Sequence, residues 1–210
     1  MKVLVVASQK GGVGKTTLAA HLAVAAERDG LAPVAMIDLD PQGSLAAWWN
    51  ERTAETPALV ATDIARLPAD VETLREAGFK LLVVDTPPAM SAALNAVVAL
   101  ADLVVIPVLP SPTDLRAVGN TVDLVESAGR RFAFAVNGAK AGARLTTEAV
   151  AALSEHGAVL RPTIAHRVSV PTAAIDGRTV VETEPRRPSG TEMLELWASV
   201  KRHLSKKGPR

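Results

Sequence analysis

The chain has no cysteine among its 210 residues. That absence excludes disulfides, thiolate metal sites and thiol nucleophiles, and it fits a reducing compartment. Aromatic residues make up only 3% of the composition, although 48% of the residues are hydrophobic. The core is therefore expected to be valine, leucine and alanine packed between a sheet and its helices. No apolar run is long enough to span a bilayer, and the N-terminus carries no cleavable signal pattern. These features point to a cytoplasmic protein. Neither sign of charge dominates, since 23 Lys and Arg face 22 Asp and Glu for a net charge of +1. A protein coated in positive charge is excluded, but a local basic patch is not, and basic residues do gather late, from Arg161 to Arg210. A chain of this length holds one α/β domain with a sizeable core. Its expected extent is 1–204, with 205–210 as a flexible basic tail.

Against these absences stands one dense motif. Residues 8–17 read Ser-Gln-Lys-Gly-Gly-Val-Gly-Lys-Thr-Thr and follow an almost continuous apolar run, Lys2 to Ala7. The run reads as a strand buried on both faces. The alanine-rich stretch from Thr16 to Arg28 carries Leu18, Leu22 and Ala25 on one side and reads as a helix. Strand, glycine loop and helix in that order place phosphates at a helix N-terminus. Glycines let backbone N–H groups converge on phosphate oxygens, Lys15 can reach the β/γ-phosphates, and the Thr16 hydroxyl can ligate Mg²⁺. The common phosphate-loop pattern wants glycine where Gln9 stands, and this loop carries an additional lysine, Lys10.

Apolar β-type runs recur at 34–37, 81–84, 103–108 and 132–136, separated by helical patterns at 44–52, 91–100 and 115–128. A weaker helix at 146–156 and strand at 159–165 follow, then a short helix and turn at 171–178. The last helix is expected after Ser189 and Gly190, running to about Leu204. Segment 53–68 is the least regular and reads as a surface excursion. Alternating strands and helices imply an α/β fold with a doubly wound, mainly parallel sheet flanked by helices. Ligands of such sheets bind at the carboxyl ends of the strands.

Chemical residues fall at those ends. One strand ends in Asp38-Leu39-Asp40-Pro41-Gln42-Gly43, where two carboxylates one residue apart point the same way. One can sit near Mg²⁺ while the other polarises a water. Another strand ends in Val84-Asp85-Thr86-Pro87-Pro88, an acid after four apolar residues that can hold Mg²⁺ directly or through water. Taken singly, each Asp could equally cap a helix or form a turn.

Together these motifs resemble the ParA/MinD group of deviant Walker A ATPases, a class of P-loop NTPases. The Asp-Pro-Gln form and the stretch Pro-Ser-Pro-Thr-Asp-Leu-Arg-Ala-Val-Gly at 110–119 resemble the small ParA partition ATPases, ParF-like members above all. The resemblance implies ATP/ADP and Mg²⁺ as cofactors and slow, partner-stimulated ATP hydrolysis. The nucleotide loop would be Gly11, Gly12, Val13, Gly14, Lys15, Thr16 and Thr17, with Thr17 on the α-phosphate. Lys10 would reach across an ATP-bound homodimer to the partner's nucleotide. Asp40 would position the attacking water, Asp38 would support the Mg²⁺ shell, and Asp85 with Thr16 would hold the metal. Asn137 would contact adenine, although an Asn before Gly138 also suits a turn.

The resemblance further implies ATP-dependent, non-specific binding to nucleoid DNA, with a ParB-like protein or cargo adaptor stimulating hydrolysis. Candidate DNA contacts are Arg161, Arg167, Arg178, Lys201 and Arg202; an ordinary solvated basic face is the plainer alternative for each. Phosphate contacts are sequence-independent and salt-sensitive. No helix-turn-helix is evident, and because the chain begins at the first strand, autorepression at an operator is not expected. A MinD-like membrane role is the alternative, because Leu194, Trp197, Val200 and Leu204 could share one face of the last helix beside Lys201, Arg202, Lys206 and Lys207. Docking of that helix on the core is the plainer reading, and Glu192 and Glu195 count against a membrane. A metabolic enzyme on this fold fits poorly: iron-protein relatives need cysteines, and dethiobiotin-synthetase-like ligases lack Lys10 and the Asp-Pro-Gln signature. Trp48 and Trp49 are adjacent on a helix and cannot face one core together, so one is expected to be buried and the other at an interface.

Overall fold

The computed structural model describes residues 1–88, 92–140 and 142–206. Its elements run β1 (Lys2–Val6), α1 (Lys15–Arg28), β2 (Val34–Asp38), α2 (Ser44–Asn50), β3 (Ala58–Leu59), α3 (Leu67–Glu76), β4 (Leu81–Asp85) and α4 (Ala92–Ala99). They continue with β5 (Leu103–Val108), α5 (Pro112–Ser127), β6 (Phe132–Val136), α6 (Arg144–Ser154), β7 (Ala158–Val159), α7 (Ser169–Ala174), α8 (Val180–Thr183) and α9 (Pro188–Ser205). The strands form one parallel sheet in the order β3-β2-β4-β1-β5-β6-β7. The doubly wound architecture expected from the alternating pattern is the one observed.

Period-two alternation divides each strand between two cores. Leu4, Val6, Met36, Leu81, Val83 and Val105 face α1, α8 and α9. Val3, Val5, Ile37, Leu82, Val84 and Ile106 face the other side, where α3, α4 and α5 lie. Because both faces are covered, the central strands read as continuous apolar runs. Small alanines at 19, 20, 23, 25 and 26 let α1 lie flat on the sheet centre.

Several boundaries differ from the sequence reading. The irregular stretch 53–68 supplies the edge strand β3, which pairs with β2 through Ala58 and Leu59. Helix α3 begins inside that stretch and buries Leu67, Val71 and Leu74, a period of three to four that the charged residues around it obscure. Helix α5 starts at Pro112, ahead of the expected 115, because Ser111 caps it and Pro112 occupies the first turn. Strand β7 is only two residues long, and an isolated bridge between Ala139 and Ala165 replaces the rest of the expected run. Ser91, Lys207 and residues 208–210 lie outside the described residues.

The last helix docks on the core. Met193, Leu196, Trp197, Val200 and Leu204 are buried in the α1 cluster, and the Trp197 Nε1–H donates to Asp29 at 2.9 Å. Its apolar face is thus occupied by protein, which removes the basis for laying it on a bilayer. Among the described residues no helix is long and apolar enough to cross a membrane. The tryptophan pair also departs from a simple split. Trp48 and Trp49 are both half-buried, with Trp48 Nε1–H donating to the Arg178 carbonyl at 3.2 Å and Trp49 Nε1–H to the Pro57 carbonyl at 2.7 Å.

His21 ties α1 to α8. Its Nδ1 lies 2.7 Å from the Thr17 carbonyl, and its Nε2 lies 3.3 Å from the Val180 amide. The Val180 N–H can only donate, so Nε2 accepts, and Nδ1 carries the ring proton to Thr17. Burial lowers the His21 pKa from 6.5 to about 4. A histidine held neutral in this way contributes stability above pH 6.5 that is lost as pH falls towards 4. At about 1.4 kcal/mol per pH unit, its share of the loss between pH 7 and pH 4 is roughly 3 kcal/mol. Urea unfolding across that range should show a weaker pH dependence in His21→Gln than in wild type; parallel curves would refute the assignment.

Candidate functional site

β1 ends in the middle of the sheet, and register places the chemistry there. Val6 pairs with Asp85, and Asp38 pairs with Asp85 across β2 and β4. The Thr86 hydroxyl donates to the Val6 carbonyl at 2.9 Å, which fixes the end of β4 to the end of β1. The glycine loop therefore leaves β1 directly beside two carboxylates.

Gly14 is the N-cap of α1 at φ +92°, and no side chain caps that helix. A Cβ at Gly14 would overlap the Asn137 amide. The first N–H groups of α1 are thus exposed at the mouth of a cavity of about 550 Å³, bounded by Gly14, Lys15, Thr16, Thr17, Asp40 and Trp48. This arrangement suits an anion. Val13 is buried and anchors the loop, while Gly11 and Gly12 are exposed.

Lys15 is only 7% exposed, and its Nζ donates to the Lys10 carbonyl at 3.4 Å. Burial lowers its pKa, against the pull of Asp85 and Asp40. Thr16 Oγ1 donates to Asp85 Oδ2 at 2.5 Å. The other oxygen, Asp85 Oδ1, is buried without a partner among the described residues. Burial pushes the Asp85 pKa up to about 7, the Thr16 hydrogen bond opposing. An unsatisfied buried carboxylate oxygen next to a threonine hydroxyl fits a hard divalent cation. Among the described residues no cluster of three His or carboxylate side chains could hold a metal alone. The donors present suit Mg²⁺ completed by phosphate oxygens and water, with Thr16 and Asp85 as the protein's share.

Asp38, which pairs with Asp85 across the sheet, is also bound to the loop that follows it. Its Oδ1 accepts from the Asp40 N–H at 3.0 Å, and its Oδ2 accepts from Leu45 at 2.9 Å and Ala46 at 3.0 Å. It shapes the loop 39–46 and caps the start of α2. Asp40 accepts from the Gln42 N–H at 3.0 Å and keeps its carboxylate at the cavity. Asn137 donates to the Val13 carbonyl at 2.8 Å, so the structure places its amide behind the glycine loop, as a brace. Lys10 pairs with Asp114 of its own chain at 2.7 Å.

Three of the five candidate DNA contacts are engaged in ion pairs: Arg167 with Glu192, Arg178 with Asp176, and Lys201 with Asp29. Arg161 and Arg202 are exposed and enter no ion pair among the described residues. The Arg161 amide donates to Ser199 at 3.4 Å, which brings residue 161 beside α9, the helix that carries Arg202.

Two residues that sequence reasoning missed organise the cavity wall. Arg52 forks onto Glu182 at 2.8 and 3.2 Å, donates to the Gly177 carbonyl at 2.6 Å, and lies 4.8 Å over the Trp48 ring. His21 sits one turn beyond Thr17, a spacing that was visible in the sequence. The Arg52 fork carried no such signal, because Gly177 and Glu182 lie more than a hundred residues away.

The family model for the CobQ/CobB/MinD/ParA nucleotide-binding domain matches residues 4–180. A maintenance of carboxysome distribution protein A from Gloeobacter kilaueensis is 48% identical over 128 residues, 58% of this chain and 55% of that protein. The protein of the same name from Halothiobacillus neapolitanus is 29% identical over 200 residues, covering 91% of this chain and 92% of its own. An ATP complex of Cyanothece McdA superposes with a TM-score of 0.81 at 21% identity over 100% of this chain and 98% of that one. The Aquifex aeolicus MinC:MinD cell division complex gives 0.80 at 21% identity, with the same coverage.

The glycine geometry yields a direct check. Gly14→Ala, strained by its positive φ and blocked by Asn137, should weaken binding of a fluorescent ATP analogue at least tenfold. Gly11→Ala, with nothing within 4 Å of a new Cβ, should change it far less. Equal effects of the two would contradict the described loop.

Proposed function

The chain belongs to the CobQ/CobB/MinD/ParA nucleotide-binding family, and from that premise we propose that it is an ATP-driven dimerising switch that binds DNA without sequence preference and positions a cargo. The observation that carries this reading is the convergence of an uncapped α1, Lys15, Thr16 and Asp40 around one cavity, with Asp85 hydrogen-bonded to Thr16 behind it and a further lysine in the same loop.

Each residue has a share in the chemistry. Phosphoryl transfer needs positioning and cancellation of charge more than covalent catalysis. The N–H groups of residues 11–17 cradle the phosphates, and the buried Lys15 binds the β- and γ-phosphates. Thr16 and Asp85 hold Mg²⁺, which neutralises phosphate charge when bound. Asp40, fixed through Asp38 and the 39–46 loop, orients the attacking water. Lys10 supplies a cation to the partner's nucleotide, so that tight binding depends on two copies closing together. Loss of the γ-phosphate removes the charge that joins them, and the outcome is a timed switch with slow turnover.

A positioning role is supported by the two relatives named for carboxysome distribution. The 32% identity to a Protein ParA from Rhizobium radiobacter, over 65% of this chain, supports the same class of machine. DNA contact is assigned first to Arg161 and Arg202, the two candidates that hold no carboxylate among the described residues. A cargo-bound adaptor protein stimulates hydrolysis in this scheme.

Filter binding with ATP, ADP and no nucleotide tests the reading. Wild type should retain duplex DNA only with ATP. Asp40→Ala should hydrolyse at least tenfold more slowly and keep binding DNA, while Lys15→Gln should lose both activities. Arg161→Ala with Arg202→Ala should leave ATPase activity intact and lower the salt slope of binding by about one for each arginine that meets a phosphate. DNA binding indifferent to nucleotide would refute the switch.

A further inference from the structure

The lysine that sets this loop apart is held by its own chain. Lys10 Nζ lies 2.7 Å from Asp114 Oδ2 and 3.3 Å from Thr113 Oγ1, in the first turn of α5. The Asp114 side chain is 4% exposed, whereas that of Lys10 is 35% exposed. Ser111 Oγ also donates to Asp114 Oδ2. Asp114 Oδ1 is buried without a hydrogen-bond partner among the described residues. A desolvated carboxylate with one dry oxygen depends on Lys10, the one cation paired with it among the described residues, because an unpaired charge there is unfavourable. The same lysine is held at its other end, since Lys15 Nζ donates to the Lys10 carbonyl.

We propose that Asp114 is a positioning residue that keeps Lys10 on its own subunit and competes for it with the triphosphate of a second copy, thereby setting how readily two copies close. This rests on the reading that Lys10 acts across a dimer. Lys10 carries one positive charge, and a triphosphate that draws its ammonium towards a second copy draws it away from Asp114, so closure works against the pair. The two lysines are coupled in order: a phosphate that draws Lys15 off the Lys10 carbonyl releases residue 10's backbone first. Asp114 thus holds the protein open until the loop is filled, and restores that hold after hydrolysis.

Asp114 also closes the first turn of α5, its N–H donating to Ser111 Oγ at 3.2 Å. The substitution Asp114→Asn keeps volume and that backbone bond while removing charge; Asp114→Ser, which keeps a short polar side chain at that turn, is the second variant. The first readout is acetylation of lysine amines by an N-hydroxysuccinimide ester, followed by mass spectrometry with exposed Lys140 as internal standard. Both variants should acetylate Lys10 several-fold faster than wild type, a change that a purely structural role would not make. The second readout is sedimentation with a non-hydrolysable ATP analogue and Mg²⁺. The concentration for half-dimerisation should fall about tenfold in each variant. Unchanged Lys10 reactivity, an unchanged dimerisation constant, or weaker dimerisation in the variants would each overturn the competition. A wild type that stays monomeric would overturn the dimer reading itself, and is distinguishable because the acetylation readout does not depend on it.

Discussion

One backbone constraint governs this site. The chain leaves β1 at the centre of a parallel sheet, turns left-handed at Gly14, and starts α1 with no side-chain cap. Uncapped N–H groups at the end of a helix attract an anion, and here they open onto the carboxyl ends of β2 and β4. Because parallel strands all end on the same side, Asp38, Asp85 and the loop reach one place without any long-range design beyond strand order. Asn137 closes the turn from behind, and its contact with Val13 leaves no room for a side chain at position 14.

The electrostatics are unbalanced by construction. Lys15 is buried beside a carboxylate whose Oδ1 has no partner among the described residues, and the Asp85 pKa is lifted towards neutrality by its own burial. Such a pair is poorly satisfied by protein alone and well satisfied by a metal–triphosphate. The same logic applies in opposite sense at Lys10, where a buried Asp114 offers the lysine an internal anion. In the proposed scheme the loop carries two cations with different loyalties: Lys15 committed to the phosphates, and Lys10 divided between its own helix α5 and a second copy.

Much of this was legible in the sequence, because phosphate loops, acid-ending strands and strand–helix alternation are local patterns. Strand β1, the loop and Asp85 could be read from a few consecutive residues. What could not be read depends on the fold. Asp38 could be read as an acid at a strand end, but only the folded loop shows both of its oxygens bound to the N–H groups of Asp40, Leu45 and Ala46. Arg167, Arg178 and Lys201 count as basic in a sequence and as ion-paired in the structure. Strand β3 is two residues long and takes its identity from the neighbouring β2 alone. The amphipathic pattern of α9 was weak, and whether it met a bilayer or the α1 face was decided by packing around Trp197.

The account stands on two copies sharing their triphosphates. Sedimentation velocity of the wild-type protein with Mg²⁺, run in parallel with ATP and with ADP, addresses that most directly. The account predicts a dimer with ATP and a monomer with ADP. The same sedimentation coefficient under both nucleotides, at concentrations where the loop is saturated, would contradict it.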